Sequence, residues 1–229
     1  MKKVHKDGTP VKIQRTSNGI RYMKGQERAK VITFLKDRMR AYAGKPQGFE
    51  AHRDKTIFEL GFYTGFRVEE IYHIDIEDVC HPESLPHEIV LKTEIIVVGK
   101  GDVLREVPVT KPLRDALESF LKAKRKAGEA LKEGAPLFCS FNGSRLAYRS
   151  LQSVVERRCS QAGLVDVVQG KVRSRFSIHA LRHTFAVLWL AEHDYMAPAE
   201  AYKRLSIYMG HTDIQTTQKY TRYDVRVAA

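Results

Sequence analysis

Cysteine is scarce in this chain: Cys80, Cys139 and Cys159 are the three among 229 residues. Their spacing fits no metal site and their odd number leaves one unpaired, which points to a reducing, cytoplasmic setting. Long apolar runs are missing as well. No stretch approaches the ~18 residues of a membrane-spanning helix and the first residues carry no secretory signal pattern, so no membrane partner is expected. Negative charge is in short supply: 27 Asp and Glu stand against 39 Lys and Arg, a net charge of +12. That balance points to a polyanionic partner.

Several motifs that carry chemistry are absent too. Gly99-Lys100-Gly101-Asp102 resembles a phosphate loop superficially. The Walker spacing and its following Ser or Thr are missing, which excludes nucleotide binding of that kind. His179 and His183 lie four apart on a helix, but the glutamate of a His-Glu-x-x-His site is lacking and Arg182 would set a fixed positive charge against a metal. Without a nucleophile elbow, a Ser-His-Asp hydrolase has nothing to start from. No metal and no cofactor is expected. Internal repeats and low-complexity tracts are absent.

What is present reads as one substantial domain, or one plus a small appendage. Residues 1–24 are polar and basic, with Lys2, Lys3, Lys6, Lys12, Arg15, Arg21 and Lys24 against Asp7 alone. They hold too little apolar area to fold by themselves, and are expected to form a mobile arm able to lie along phosphates. Residues 25–229 make up the main domain. Helical spacing of Ala29, Ile32, Leu35 and Met39 predicts a helix over Gln26–Ala43, and a second fits Phe49–Tyr63, with Gly61 a weak point. After a tight turn at Gly65, Arg67 opens a short helix through Tyr72. Two β-branched runs, Glu88–Val98 and Val103–Val109, flank Gly99-Lys100-Gly101-Asp102 as a hairpin with Lys100 at its tip. Thr110 and Pro112 start a helix to about Lys132. Its face bearing Lys122, Lys124, Arg125 and Lys126 reads as solvated. Tyr148–Ala162 reads as helix, and 166–176 as a polar, basic loop. Helices are expected from Ile178 and from Ala197-Pro198-Ala199-Glu200 through Tyr208, closed by Gly210, then a last short one bearing Thr216, Thr217 and Tyr220. The fold class is α+β, mainly α-helical, with a small antiparallel sheet.

The last helices gather an unusual set of side chains. On a helix from Ile178, His179, Arg182 and His183 share one face, while Leu181, Phe185 and Leu188 form the apolar stripe. Arg67 opens its helix beside Glu69 and Glu70, where the helix dipole favours anions. The position suits a residue that shares a bound anion with free N–H groups. A phenol with a reference pKa of ~10 is a weak nucleophile at neutral pH. A phosphodiester, itself an anion, repels attack. Two guanidiniums on its nonbridging oxygens neutralise that charge and stabilise the pentacovalent transition state, each such donor commonly contributing ~10²–10³ in rate. A lysine on a hairpin tip is able to protonate the leaving oxygen. The combination reads as a site for cutting and rejoining DNA strands, with Tyr220 as nucleophile and double-stranded DNA as partner.

These residues resemble the tyrosine site-specific recombinases, also called phage integrases. Thr64-Gly65-Phe66-Arg67-Val68-Glu69-Glu70 looks like the first arginine box, with Glu70 as supporting acid. Gly99-Lys100-Gly101 followed by Arg105-Glu106-Val107-Pro108 looks like the family's catalytic hairpin. His179-Ala180-Leu181-Arg182-His183 matches the His-x-x-Arg box, and Met209-Gly210-His211 with Thr216-Thr217-Gln218-Lys219-Tyr220 matches the box of the last histidine and the nucleophile. The resemblance implies that Arg67 and Arg182 grip the phosphate, Lys100 is general acid, His179 general base and His211 a hydrogen-bond donor. Asp78 falls on a structural acid, and His183 is a further supporting residue. Lys2, Lys3, Lys12, Arg15, Arg21, Arg105, Arg173 and Arg175 are candidate DNA contacts. The family implies a 3′-phosphotyrosyl intermediate, strand exchange through a Holliday junction in a tetramer on two DNA sites, a nucleoid-associated location, and in some cases an accessory DNA-bending or directionality protein. With 66 residues ahead of Arg67, no separate helical domain of the kind that clamps the duplex is expected there. A metal-independent tyrosine topoisomerase and a non-enzymatic, recombinase-derived DNA-binding regulator are the alternatives.

Overall fold

Helix α2 (Gln47–Thr64) is the axle of the domain, buried along most of its length. Helices α1 (Gly25–Ala41), α5 (Lys111–Lys126), α6 (Tyr148–Gln161) and α7 (Ile178–Glu192) pack around it. Between α2 and α5 run two short helices, α3 (Val68–His73) and α4 (Ile76–Val79), a 3₁₀ turn at Pro82–Ser84, and the hairpin β1 (Glu94–Val98) and β2 (Leu104–Pro108). A second hairpin, β3 (Val165–Val168) and β4 (Lys171–Ser174), joins α6 to α7, and α8 (Pro198–Met209) packs on α7. The computed structural model describes residues 20–85, 87–98, 104–140, 142–210, 217 and 220.

One large apolar core joins α1 through α7, from Val31 and Leu35 to Ile178 and Leu181. A smaller cluster lies between α7 and α8, built from Phe185, Val187, Leu190, Leu205, Met209 and Tyr220. Gly61, expected as a weak point of α2, is instead where α7 approaches: a Cβ there would lie 2.6 Å from Leu181 Cβ. The glycine trades some helix propensity for that contact. It brings α7, and with it Arg182, against the end of α2.

Buried charge in α2 is held by pairing. Asp54 accepts from Arg53 Nε and Nη2 at 3.1 and 3.0 Å, and from Arg158 Nε on α6 at 2.7 Å. Lys124 departs from the solvated basic face expected of α5. It is 1% exposed, and its Nζ meets Cys139 Sγ at 3.0 Å. Helix α5 also stops at Lys126, short of Lys132, because Gly128 turns left-handed (φ 76).

The stretch 166–176 corrects the loop expectation. Val165↔Ser174 and Val168↔Lys171 pair antiparallel, and the turn residues Gln169 and Gly170 both have positive φ (51 and 75). That geometry suits a two-residue hairpin turn. Its composition misled because neither strand is buried: Val167 and Val172 face each other half or more exposed. Of the residues expected to form the arm, 1–19 lie outside the described residues, and 20–24 are described. Met23 is 1% exposed, and its backbone N–H donates to Thr184 Oγ1 at 2.8 Å.

No helix of the described residues is long and apolar enough to cross a membrane.

Candidate active site

Alternation along β1 and β2 sets the first wall of the site. Ile95, Val97, Arg105 and Val107 point inward, and Ile96, Val98 and Leu104 outward. Arg105, a candidate DNA contact from the sequence, therefore enters the interior, 8% exposed.

Arg67 is the N-cap of α3, and Glu70 is the third residue of that helix. The Glu70 carboxylate turns back on the helix start: Oε2 accepts from the Arg67 backbone N–H at 2.6 Å, and Oε1 accepts from Arg67 Nη1 at 3.0 Å. Arg105 Nη2 donates to the same Oε2 at 2.5 Å, and Arg182 Nη1 lies 4.0 Å from it. Three guanidiniums thus gather about one carboxylate, leaving an excess of two positive charges among the described residues. Arg67 Nη2 donates to the Gly210 carbonyl at 2.7 Å, and Arg182 donates to the carbonyls of Gly65 and Met209, the latter at 2.7 Å. Backbone from the ends of α2 and α8 thereby aims both arginines.

Burial pushes the Arg182 guanidinium down to about 10. The charges of Arg67 and Arg105 push the same way, and Glu70 opposes them. It stays protonated at neutral pH, but in a site short of negative charge. Arg105 is lowered too, by burial first, with Glu70 acting against it. An anion seated here would meet fixed donors in a place largely closed to water, where each interaction is strong.

Tyr220 is 3% exposed, packed in the small α7–α8 cluster. Its hydroxyl and His183 Nδ1 are 2.7 Å apart; which of the two donates depends on the histidine tautomer. The phenol is close enough to the buried Arg182 to act on its charge. His179, one turn earlier, is exposed. It shares with His183 a cleft of about 370 Å³ also lined by Arg21, Glu156 and Arg175. Asp78 accepts from the Asp75 backbone N–H at 2.8 Å, closing the start of α4. It borders a cleft of about 700 Å³ with Arg67 and Glu70, and burial raises its pKa.

Lys100 and His211 lie outside the described residues, as do Lys2, Lys3, Lys12 and Arg15. Arg21 pairs with Asp166 at 3.1 Å, Arg175 with Glu27 at 2.7 Å and Asp166 at 3.0 Å, while Arg173 is exposed on β4. Sequence reasoning passed over Gly210 as a functional position. Its left-handed backbone (φ 63) ends α8 and presents the carbonyl to Arg67. The glycine just past a helix pattern was the available signal.

A sequence profile of the phage integrase family matches residues 36–226. Tyrosine recombinase XerC of Pseudomonas aeruginosa is 35% identical over 177 residues, 77% of this chain and 49% of that protein. Tyrosine recombinase XerC of Neisseria gonorrhoeae is 33% identical over 175 residues, 76% of this chain and 48% of that protein. The chain spans about half the length of these curated relatives. In three dimensions it is similar to XerH site-specific recombinase bound to palindromic difH substrate in a post-cleavage complex, with a TM-score of 0.63 and 22% identity, covering 89% of this chain and 49% of that one. It is likewise similar to XerA recombinase, with a TM-score of 0.62 and 24% identity, covering 89% of this chain and 60% of that one. At such identities the solved structures establish the shared fold.

Proposed function

The chain belongs to the phage integrase family, and from that footing we propose that it is a site-specific DNA recombinase working through a covalent phosphotyrosyl link. The observation that carries this reading is the surplus of guanidinium about Glu70, next to a phenol already hydrogen-bonded to a histidine. Arg67 and Arg182 take the nonbridging oxygens of the scissile phosphate and stabilise the charge that grows there in the transition state. The Tyr220 oxygen attacks phosphorus, the bond to the 5′ oxygen breaks, and the strand is left joined to the enzyme through its 3′ phosphate. His179 takes the phenolic proton and Lys100 protonates the departing 5′ oxygen, while His211 donates a hydrogen bond to the phosphate. A 5′ hydroxyl from a partner duplex then attacks the link and releases Tyr220. One phosphoester replaces another, so no external energy source enters.

With Tyr220 3% exposed, a phosphate reaches its oxygen only once the ring is uncovered. Supporting roles fall to Glu70, which holds the arginines, to Asp78, which fixes the turn below them, and to His183. Double-stranded DNA is the partner, two sites being held by four protomers, with accessory DNA-bending or directionality proteins acting alongside, and the setting is the nucleoid.

The test is incubation with nicked DNA that traps covalent intermediates, over a library of candidate sites. Wild type is expected to yield a protein–DNA adduct at Tyr220, and Tyr220→Phe none, with DNA affinity nearly intact. An adduct of undiminished yield from the phenylalanine variant sinks the assignment. Relaxation of a plasmid lacking any specific site marks a topoisomerase instead.

A further inference from the structure

We infer that Arg105 is a positioning residue for strand cleavage: from β2 it holds the Glu70 carboxylate that in turn sets the guanidinium of Arg67 at the phosphate site. The inference rests on the strand-cleavage reading above.

Glu70 Oε2 is shared between Arg105 Nη2, at 2.5 Å, and the backbone N–H of Arg67, at 2.6 Å. Its other oxygen takes Arg67 Nη1 at 3.0 Å, and the far side of that guanidinium reaches the Gly210 carbonyl at 2.7 Å. Fixing Glu70 from behind therefore fixes Arg67 at both its backbone and its side chain. Arg105 itself is wedged: its side chain is 6% exposed, and its guanidinium lies over the Phe66 ring at 5.5 Å. Gly210 packs so close that a Cβ there would sit 2.6 Å from Arg105 Nη1 and 3.5 Å from Arg67 Nη1. Both arginines thus press on one glycine at the end of α8.

A purely structural ion pair does not account for this arrangement. Arg67 alone supplies Glu70 with a counter-charge, yet a second cation is buried beside it. Arg105 Nε and Nη1 are buried without a hydrogen-bond partner among the described residues, a costly state for charged donors. It also stands among like charges, Arg67 and Arg182. Such a cost is characteristic of a pre-organised charged site, where fixed donors await an anion. A direct groove contact does not fit either, since the side chain is enclosed.

The test uses the full chain and the nicked trapping substrate, with three readouts: DNA affinity, single-turnover cleavage at saturating DNA, and thermal unfolding. Arg105→Lys keeps the buried charge but loses the planar fork; cleavage is expected to fall about tenfold or more with affinity within about threefold. Arg105→Ala is expected to fall about 10²-fold, with part of the rate restored by millimolar methylguanidinium. Wild-type cleavage by Arg105→Lys overturns the inference. So does an Arg105→Ala variant that binds DNA weakly but cleaves normally at saturation, which marks a groove contact. If the alanine variant does not fold, the lysine variant decides. Failure of wild type to form any adduct overturns the recombinase reading itself, and this inference with it; an adduct from wild type with no change in Arg105→Lys overturns the inference alone.

Discussion

Two places in this chain set arginines on one buried carboxylate, and they are built to opposite ends. At Asp54 the arrangement is closed. Arg53 spends Nε and Nη2 on the carboxylate and Nη1 on the Cys139 carbonyl, and Arg158 bonds both Asp54 and Gln161. All three charged side chains are at most 4% exposed. At Glu70 the arrangement is open. Three guanidiniums share one carboxylate, two nitrogens of Arg105 have no partner among the described residues, and Arg67 is 29% exposed. Buried charge therefore does not by itself mark a functional site. What sets the Glu70 cluster apart is that an arginine bonded to the carboxylate itself keeps two buried nitrogens without a partner among the described residues.

The comparison breaks most visibly at Asp54. Asp54→Ala strands two buried guanidiniums and is expected to cost about 3–5 kcal/mol of folding stability, read by urea unfolding. Cleavage per folded molecule should stay near wild type; a loss of cleavage beyond the folded fraction would join Asp54 to the site. Arg67→Ala should behave in the reverse way. Cleavage is expected to fall about 10²–10³-fold, while stability shifts by no more than about 1 kcal/mol, because like-charge repulsion is relieved as one ion pair is lost. Strong destabilisation with cleavage preserved in the folded fraction would make the Glu70 cluster a second structural clamp.

A smaller effect sharpens the contrast. Inorganic sulfate should raise the melting temperature by binding the open cluster, since a ligand of the native state stabilises by mass action. The rise should shrink in Arg67→Ala and persist in Asp54→Ala that still folds. An equal rise in all three would assign the effect to general salt action.

The last expectation concerns protons. Burial, with the charge of Arg67 beside it, holds the folded Arg182 guanidinium down to about 10, below its ordinary value. Between those values the unfolded chain binds more protons at this group than the folded one, so its contribution to stability rises with pH across that window. Below about 10 the full penalty of burying the charge is present. A guanidinium NMR titration should find the depressed midpoint, and added sulfate should move it back toward the ordinary value. An unshifted midpoint without sulfate would mean the site is wetter than the geometry implies.

Much of the architecture was legible because it is local. The periodicity of Ile32 and Leu35, the Pro112 start and the Gly210 stop placed helices within a few residues of α1, α5 and α8. The β3–β4 hairpin escaped because Asp166, Lys171 and Arg173 gave it the composition of a loop, and its valines lie exposed. Lys124 escaped for a complementary reason: its neighbours Lys122 and Arg125 face water, while its own stem enters the core toward Cys139. Arg105 was partly legible, since alternation along Leu104-Arg105-Glu106-Val107 puts it on the face of Val107.

The amino-acid sequence by itself determined the chemical inventory and its order along the chain: two arginine boxes, a histidine beside the second, and a tyrosine near the end, on elements whose periodicity could be read. Only the tertiary structure decided which of these meet. Arg67 finds the Gly210 carbonyl across 143 positions, Arg182 finds Gly65 across 117, and Tyr220 finds His183 across 37. Such contacts depend on how closely α7 settles against α2 and where α8 ends, and these are set by packing of side chains far apart in sequence. Local patterns carry no record of that distance.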